Sequence, residues 1–580
     1  MLLPEEREIL QQLNFEESDK LLHRFSDLYR HSGSEEEKTA AYYISERLRS
    51  FGVDHEILWP ELYLSNPVKA EIKIIGKEMD IKVKTPAFSM STGEKWIDGE
   101  MVFAASVPTP YALDSFEYNL NFEQNPKGKI VVCEGVPSPV KVNDIIVQGG
   151  VAAIFVQPGK DIHQCTCTSI WGSPGLEDFN NNIRIPVVSI NSQQGKKLIH
   201  MLKKEKLRAA IKTSLVEGWK KCPLVLAKIG GKVDTDKFIL LHGHIDSWYA
   251  GIGDNALGDA ALLEIARVLK QNAGYMKRKV WIAWWPGHSN GRFAGSTWFA
   301  DNYAMELYRN CVCQINCESP GCKDADTYEN IMWTEDVDDF CRSLVEEVTG
   351  ITPKWARPLR AGDYSFNNIG ITSMFMRSSA IGEDKIKDLG YYEVYGSGGN
   401  IEWHTEKDDM RVVDEKNFMR DIKLYLAALL KLCHSPILPI DIRTMLQSME
   451  KYVRQYEDFS QGLFNFSPVF EGIRSLSEAL ENFYKSADEI KSCKEKAEVI
   501  NNAIIKVQRK LIRINYTKRE EFNHDQSVLM PPVPLLADIL KIKSLNAEER
   551  KFLVTGLVRA RNRVVYSLLE CEEYLKDITF

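Results

Sequence analysis

Hydrophobic spacing divides the chain into stretches of different character. Over residues 15–53, "SDKLLHRFSDLYR" and "EEEKTAAYYISERLRSFG" place apolar side chains three and four residues apart. That spacing predicts helices, with Gly52 as the stop. Over 55–230 the pattern shortens to β-branched runs (AEIKIIG, GKIVVCEG, AAIFVQ, IPVVSI) separated by Gly, Pro and Asn, with "DIIVQGG" reading as a helix closed by glycine. These features predict a separate β-rich unit. From 231 onward strands alternate with helices. "KFILLHGHIDSW" is a strand with a polar end. "LGDAALLEIARVLKQNAG" is a helix that turns Leu262, Leu263, Ile265, Ala266 and Leu269 inward. "KRKVWIAWW" and "CVCQINCES" are two further buried strands. The expected class is α/β, a mostly parallel sheet with helices on both faces, whose ligands gather beyond the carboxyl ends of the strands. From about 436 to 580 the pattern is helical, and residues 471–514 read as one long, heavily charged helix. Such a helix packs on a neighbouring domain or subunit. The pattern divides the chain into 1–54, a β-rich 55–230, an α/β stretch 231–435 and a helical 436–580.

Bulk properties narrow the function classes. The 580 residues are 44% hydrophobic and 27% charged, with a formal net charge of −8. An acidic chain is a poor match for a phosphate backbone, so nucleic acid is not the expected partner. The acidic start "MLLPEEREILQQLNFEESDK" does not read as a signal peptide, and no apolar run approaches the ~18–20 residues that cross a bilayer. No membrane partner and a cytoplasmic location are the expectations. The 12 cysteines are scattered, which argues against a disulfide framework. Cys311, Cys313 and Cys317 alternate with other residues as if on one face of a buried strand.

The strand ends carry the candidate chemistry. His244 and Asp246 end the first strand, Asp254 follows in the loop, His288 ends the next, and Glu318 the third. His404 comes later, in "IEWHTEKDD". A lone strand-end histidine is usually structural. Several histidines and carboxylates converging suit a divalent metal of the zinc class, and one carboxylate can bridge two such ions.

In this order these residues resemble those of the cocatalytic zinc exopeptidases related to aminopeptidase Y, in the glutamate carboxypeptidase and transferrin receptor branch. "SGSEEEKTAAYYISERLRSFG" is similar to that family's first helix pair. "PKGKIVVCEGVPSPVKVNDIIVQGGVAAIFV" resembles its inserted protease-associated (apical) domain. "HIDSWYAGIGDNALGDAALLEIARVL" resembles its His-x-Asp motif and Asp-Asn loop, and "RFAGSTWFADN" the segment after its catalytic glutamates. "RAGDYSFNNIGITSMF" and "WHTEKDDM" resemble its later site motifs, and "ILPIDIRTML" the entry to its helical dimerisation domain. The resemblance implies His244, Asp254, Glu318 and His404 as metal ligands, with Asp254 bridging. It implies Asp246 as a supporting carboxylate that accepts a hydrogen bond from the ligand network. The metal would be zinc, with manganese or iron(II) as alternatives, as one ion or two.

One loop departs from the pattern. In "WWPGHSNGRFAGS" the family's two adjacent glutamates are missing. Counted from Trp284, the general-base position falls on Gly287 and the ligand position on His288. Glycine cannot move a proton. That role then passes to His288, or to Asp363 or Glu402 reaching in, and imidazole can also replace the missing ligand. The catalytic set expected here is His288, Asp246 and Asp363. Arg292, Arg357 and Arg360 are candidate clamps for a substrate carboxylate. Tyr364 and Trp403, with Trp248, Tyr249, Trp285 and Trp355, are candidates to line an apolar pocket. "QCTCTSIWG" is expected to dip into the cleft. The function implied is hydrolysis of an amide bond in a small peptide or N-acyl amino acid, by a homodimer joined through the helical domain. The alternatives are a metal-dependent C–N lyase or cyclase-like enzyme and, third, a non-catalytic scaffold.

Overall fold

In this computed structural model, residues 1–108, 118–180, 182–231, 235–490 and 494–578 are described. A six-stranded sheet organises the chain. Its order is Asp54–Leu58, Leu224–Ile229, Lys279–Trp285, Phe238–His244, Cys311–Asn316 and Thr372–Met374. Phe238–His244 lies between two parallel neighbours, and Cys311–Asn316 is also parallel to Thr372–Met374. The two strands at the opposite edge pair antiparallel. The fold is α/β, with helices on both faces of the sheet. Ile239, Leu241, Ile282 and Ile315 turn to one face, in one core with helices Glu16–Ser26, Glu35–Ser50, Leu257–Gln271 and Glu415–His434. Phe238, Leu240, Trp281 and Trp285 turn to the other and meet Phe299 and Ala300 of the helix Ala294–Asn302. Strand alternation sends successive residues to opposite faces, so both faces are apolar here.

The sheet corrects the reading of the cysteines. A register shift between Cys311 and Gln314 moves Cys311 to the face of Trp285, while Cys313 and Cys317 pack on the other. A bulge adds one residue and so breaks strict alternation. Among the described residues every cysteine is an unpaired thiol. Residues 61–221 form a second sheet of eight strands with its own core around Ile130, Ile154 and Val188.

The C-terminal stretch is helical, as the pattern predicts, but 471–514 is not one helix. Ser467–Ile490 and Lys494–Tyr516 are separate helices, on either side of residues 491–493, which lie outside the described residues. Between Tyr516 and the last helix, Ala547–Lys576, the chain returns to the sheet. There the Asp525 carboxylate accepts hydrogen bonds from Asn368 and from the Lys518 and Arg519 amides. No described helix is long and apolar enough to cross a membrane.

Candidate metal centre

The carboxyl ends of the three adjacent strands meet at one point. His244 closes Phe238–His244, and its Nδ1 donates to the Asp246 carbonyl at 2.8 Å. A carbonyl only accepts, so the proton stays on Nδ1 and Nε2 faces inward. Nε2 lies 3.1 Å from Asp254 Oδ1 and 3.1 Å from Glu318 Oε1. His404 follows the same rule. Its Nδ1 donates to the Gln164 carbonyl at 2.7 Å, and its Nε2 lies 2.7 Å from Asp254 Oδ2. The two oxygens of Asp254 thus serve two different histidines.

Neighbouring residues fix each of these groups. Arg30, fully buried, donates to the carbonyls of Ile245, Ala250 and Gly251 and so shapes the loop between His244 and Asp254. Asp408 accepts the amides of Gly253 and Asp254, at 2.7 and 3.1 Å. Burial and the nearby Asp254 raise the Asp408 carboxyl to about 7. Asn255 donates to the Cys317 carbonyl and accepts from the Ser319 amide, tying the Asp254 loop to the Glu318 strand end. The Asp254–Asn255 peptide is cis.

Asp246 supports the site through the loop that carries His288 rather than through the His244 ring. Its carboxylate stands 3.9 Å from His244 Nδ1, too far for a hydrogen bond. It accepts instead the amides of His288 and Ser289, at 3.0 and 2.9 Å, and so pins the GHSNGR loop.

In that loop His288 stacks on His244, with ring centroids 3.7 Å apart and planes 12° from parallel. Its Nδ1 lies 2.8 Å from Asp363 Oδ2. Burial alone would raise the Asp363 carboxyl, but His288 holds it below the ordinary value. Gly287, the base position counted from Trp284, has φ +72°, and a Cβ there would stand 3.0 Å from Leu62 Cδ1. Side chains are strained in that region, which suits glycine. Gly287→Glu is therefore expected to lower the melting temperature without adding activity, checked by thermal denaturation and by assay of the variant.

The charges favour a cation. Burial disfavours the His244 imidazolium, yet Glu318 and Asp254 raise its pKa well above the usual value. Burial likewise opposes the Asp254 carboxylate, yet His244 and His404 hold its pKa well below normal. Two carboxylates with inward Nε2 atoms form the N/O donor set that zinc-class ions take. His244, His288 and Glu318 each bring a donor atom within 4.8 Å of the other two.

A cavity of about 1600 Å³ opens on this centre. Arg292, Arg357, Arg360, Trp248, Trp355 and Trp403 all reach its wall. The arginines are already engaged. Arg292 Nε donates to Ser527 Oγ at 2.8 Å, Arg357 pairs with Glu335, and Arg360 lies 3.7 Å over the Trp171 ring and donates to the Asp525 carbonyl. Tyr364 corrects the expectation. It is fully buried with Trp171, Phe293, Met332 and Met376 and is not part of the wall. Trp285 is likewise sheet core, and Glu402 is also off the wall. Cys165 and Thr166, from "QCTCTSIWG", do line the cavity. Part of the wall, Asp525–Pro532, comes from the C-terminal stretch and was not expected.

Residues 225–429 match peptidase family M28. This segment is an M28 peptidase domain. Mouse aminopeptidase NAALADL1 is 35% identical over 98 residues, 16% of this chain and 13% of the mouse protein. A probable glutamate carboxypeptidase of maize, VP8, is 30% identical over 93 residues, again 13% of that protein. These alignments therefore span only a small part of the curated relatives. A zinc aminopeptidase from Bacillus subtilis superposes with a TM-score of 0.53 at 17% identity, over 73% of this chain and 95% of that one. At that identity the likeness is one of fold. The M28 domain contains His244, Asp254, His288, Glu318, Asp363 and His404.

Below the site, helix Leu257–Gln271 of the M28 domain carries Asp259, buried with neither carboxyl oxygen hydrogen-bonded. Burial raises its pKa to about 8, against the opposing effect of Arg30. Above the ordinary carboxyl pKa the unfolded chain gives up this proton, while the folded chain keeps it until about pH 8, so stability falls with pH across that window. Asp259→Asn removes this slope. Its melting temperature is expected to gain on the wild type steadily between pH 5 and pH 8, measured by calorimetry.

Proposed function

We propose that the chain is a metal-dependent amidohydrolase that cuts the C–N bond of a small peptide or an N-acyl amino acid. The observation carrying this reading is Asp254, whose two oxygens face His244 Nε2 and His404 Nε2. His244, Asp254 and Glu318 would hold an ion on one side of that carboxylate, and His404 with Asp254 would offer a second position. A bound divalent ion, zinc foremost, supplies the Lewis acidity that polarises a carbonyl and acidifies a water.

Proton transfer falls to His288. An imidazole takes a metal in its own ring plane, and two parallel rings 3.7 Å apart cannot both aim their Nε2 lone pairs at one ion. His288 instead faces the cavity beside His244 and Glu318. Its Nδ1–H is held by Asp363, so its bare Nε2 accepts the proton of the attacking water and returns it to the departing amine nitrogen. Asp363 stabilises the imidazolium formed between the two steps. Asp363 is not itself the base, because it is fully buried, off the cavity wall, and reaches the site only through His288. Glu402 is off the cavity wall.

A second reading rests on the same Nδ1 contact. Metal-binding histidines also commonly donate to a carboxylate, so His288 can serve as a ligand to an ion at the Asp254–His404 side. Elemental analysis of protein purified without added metal separates the two. Unchanged metal content in His288→Gln supports the base, and loss of an ion supports the ligand. Removing metal with a chelator is expected to abolish hydrolysis of aminoacyl anilides, short peptides or N-acyl amino acids, and zinc to restore it. Metal-loaded protein inert toward all three classes would overturn the amidohydrolase reading in favour of other C–N chemistry.

A further inference from the structure

Behind Asp363 runs a line of hydrogen bonds with one allowed direction. Trp171 Nε1 lies 2.9 Å from Ser365 Oγ, Ser365 Oγ lies 2.8 Å from Ser296 Oγ, and Ser296 Oγ lies 2.6 Å from Asp363 Oδ1. An indole N–H can only donate, and an ionised carboxylate can only accept. These two ends fix the middle. Trp171 donates to Ser365, Ser365 to Ser296, and Ser296 to Asp363. Asp363 Oδ2 is left for His288 Nδ1. The competing acceptor for Ser296, the Phe293 carbonyl, is more distant at 3.2 Å, and so is the competing partner of Ser365, Thr297 Oγ1, at 3.3 Å.

Every member is buried. Ser296, Ser365 and Asp363 have no exposed surface and Trp171 is 4% exposed. No bulk water is at hand to replace a lost partner. Trp171 comes from the loop after "QCTCTS", about 125 residues before Ser296, and is clamped by the Arg360 guanidinium 3.7 Å over its ring and by Phe293 at 4.3 Å.

The geometry points to Trp171, Ser365 and Ser296 as positioning residues that lock His288 in the Nδ1–H tautomer, with Nε2 bare toward the cavity. They touch no substrate and act through Asp363. With Oδ1 accepting from Ser296, rotating the carboxylate away would break that hydrogen bond, so Oδ2 is kept facing His288 Nδ1. In the other tautomer Nδ1 would point a lone pair at a carboxylate, which is repulsive. This inference rests on the reading of His288 as the proton carrier.

The test is the tautomer itself. Long-range ¹H–¹⁵N correlation spectra of histidine-labelled, metal-loaded enzyme report which ring nitrogen carries hydrogen, and the His288 signals are assigned by their absence in His288→Gln. The wild type is expected to show a pure Nδ1–H signature. Ser296→Ala and Ser365→Ala are expected to show a mixture. Trp171→Phe keeps an aromatic ring but lacks the N–H, and is expected to do the same. In Ser296→Ala kcat should fall roughly 10- to 100-fold with KM little changed, the size of one hydrogen bond to a charged group. Metal content and melting temperature serve as checks on folding, and a variant that fails to fold leaves the other two to decide. A pure Nδ1–H signature with wild-type kcat in the folded serine variants overturns the lock. A mixed signature in those variants together with a fully active His288→Gln keeps the lock and instead removes His288 as the proton carrier.

Discussion

His288→Gln is expected to retain bound metal and lose about two to four orders of magnitude in kcat, the usual cost of removing a general base. Glutamine keeps the approximate size of the imidazole and offers polar contacts, but it cannot accept the proton of a water near neutral pH. The stacked geometry separates this effect from metal binding. His244 keeps Asp254 and Glu318 as neighbours whether or not the second ring is present. Per-chain metal content and kcat, measured on the same preparation, form the check. Loss of kcat with metal intact assigns the proton to His288. Loss of both moves His288 among the ligands. Full activity would transfer the proton to a group outside the loop. Asp254→Ala serves as the opposite control. It removes the carboxylate shared by His244 and His404, so metal and activity are expected to disappear together.

The largest stability effect is expected at Arg30. Its guanidinium is buried and donates to three loop carbonyls, Ile245, Ala250 and Gly251, at 2.7 to 3.1 Å. Arg30→Ala leaves those acceptors without their donor and opens a space the size of the side chain. Each buried acceptor left unsatisfied costs about 1–3 kcal/mol, so three cost at least about 3 kcal/mol; relaxation of the loop is expected to hold the loss to about 3–5 kcal/mol, the upper end for a single substitution. The loop shaped by these bonds joins His244 to Asp254, so metal affinity should fall with stability. Arg30→Lys restores the charge but not the fork, and should recover only a small part. Thermal denaturation with and without added zinc provides the check. A variant that melts within a degree of wild type would show that water replaces the guanidinium.

The strand ends that carry the metal-type residues could be read from the sequence, because runs such as "KFILLHGHIDSW" combine an apolar strand with a polar terminus. Their grouping is what buried parallel strands impose: His244 and Glu318 end neighbouring strands and so meet. Partners made by distant segments could not be read. Nothing near Arg30 or Gln164 in sequence signals that they hold the Asp254 loop and His404. Asp246 illustrates a different limit. Its place beside His244 is legible, but its carboxylate turns to the His288 and Ser289 amides, a choice set by where the next loop lies. Cys311 shows how a single bulge overturns a period-two reading. Tyr364 shows that nearness to Asp363 in sequence does not place a ring in the cavity.

The wall from Asp525 to Pro532 has a consequence for synthesis of the chain. The residues proposed to hold a metal are all made by His404, but the Ser527 hydroxyl that meets Arg292 and the Asp525 carbonyl that meets Arg360 are translated more than 100 residues later. A nascent chain released or stalled before that point has its donor set without its enclosure. This part of the cavity wall therefore forms only once residues 525–532 have been made, well after the candidate donor set.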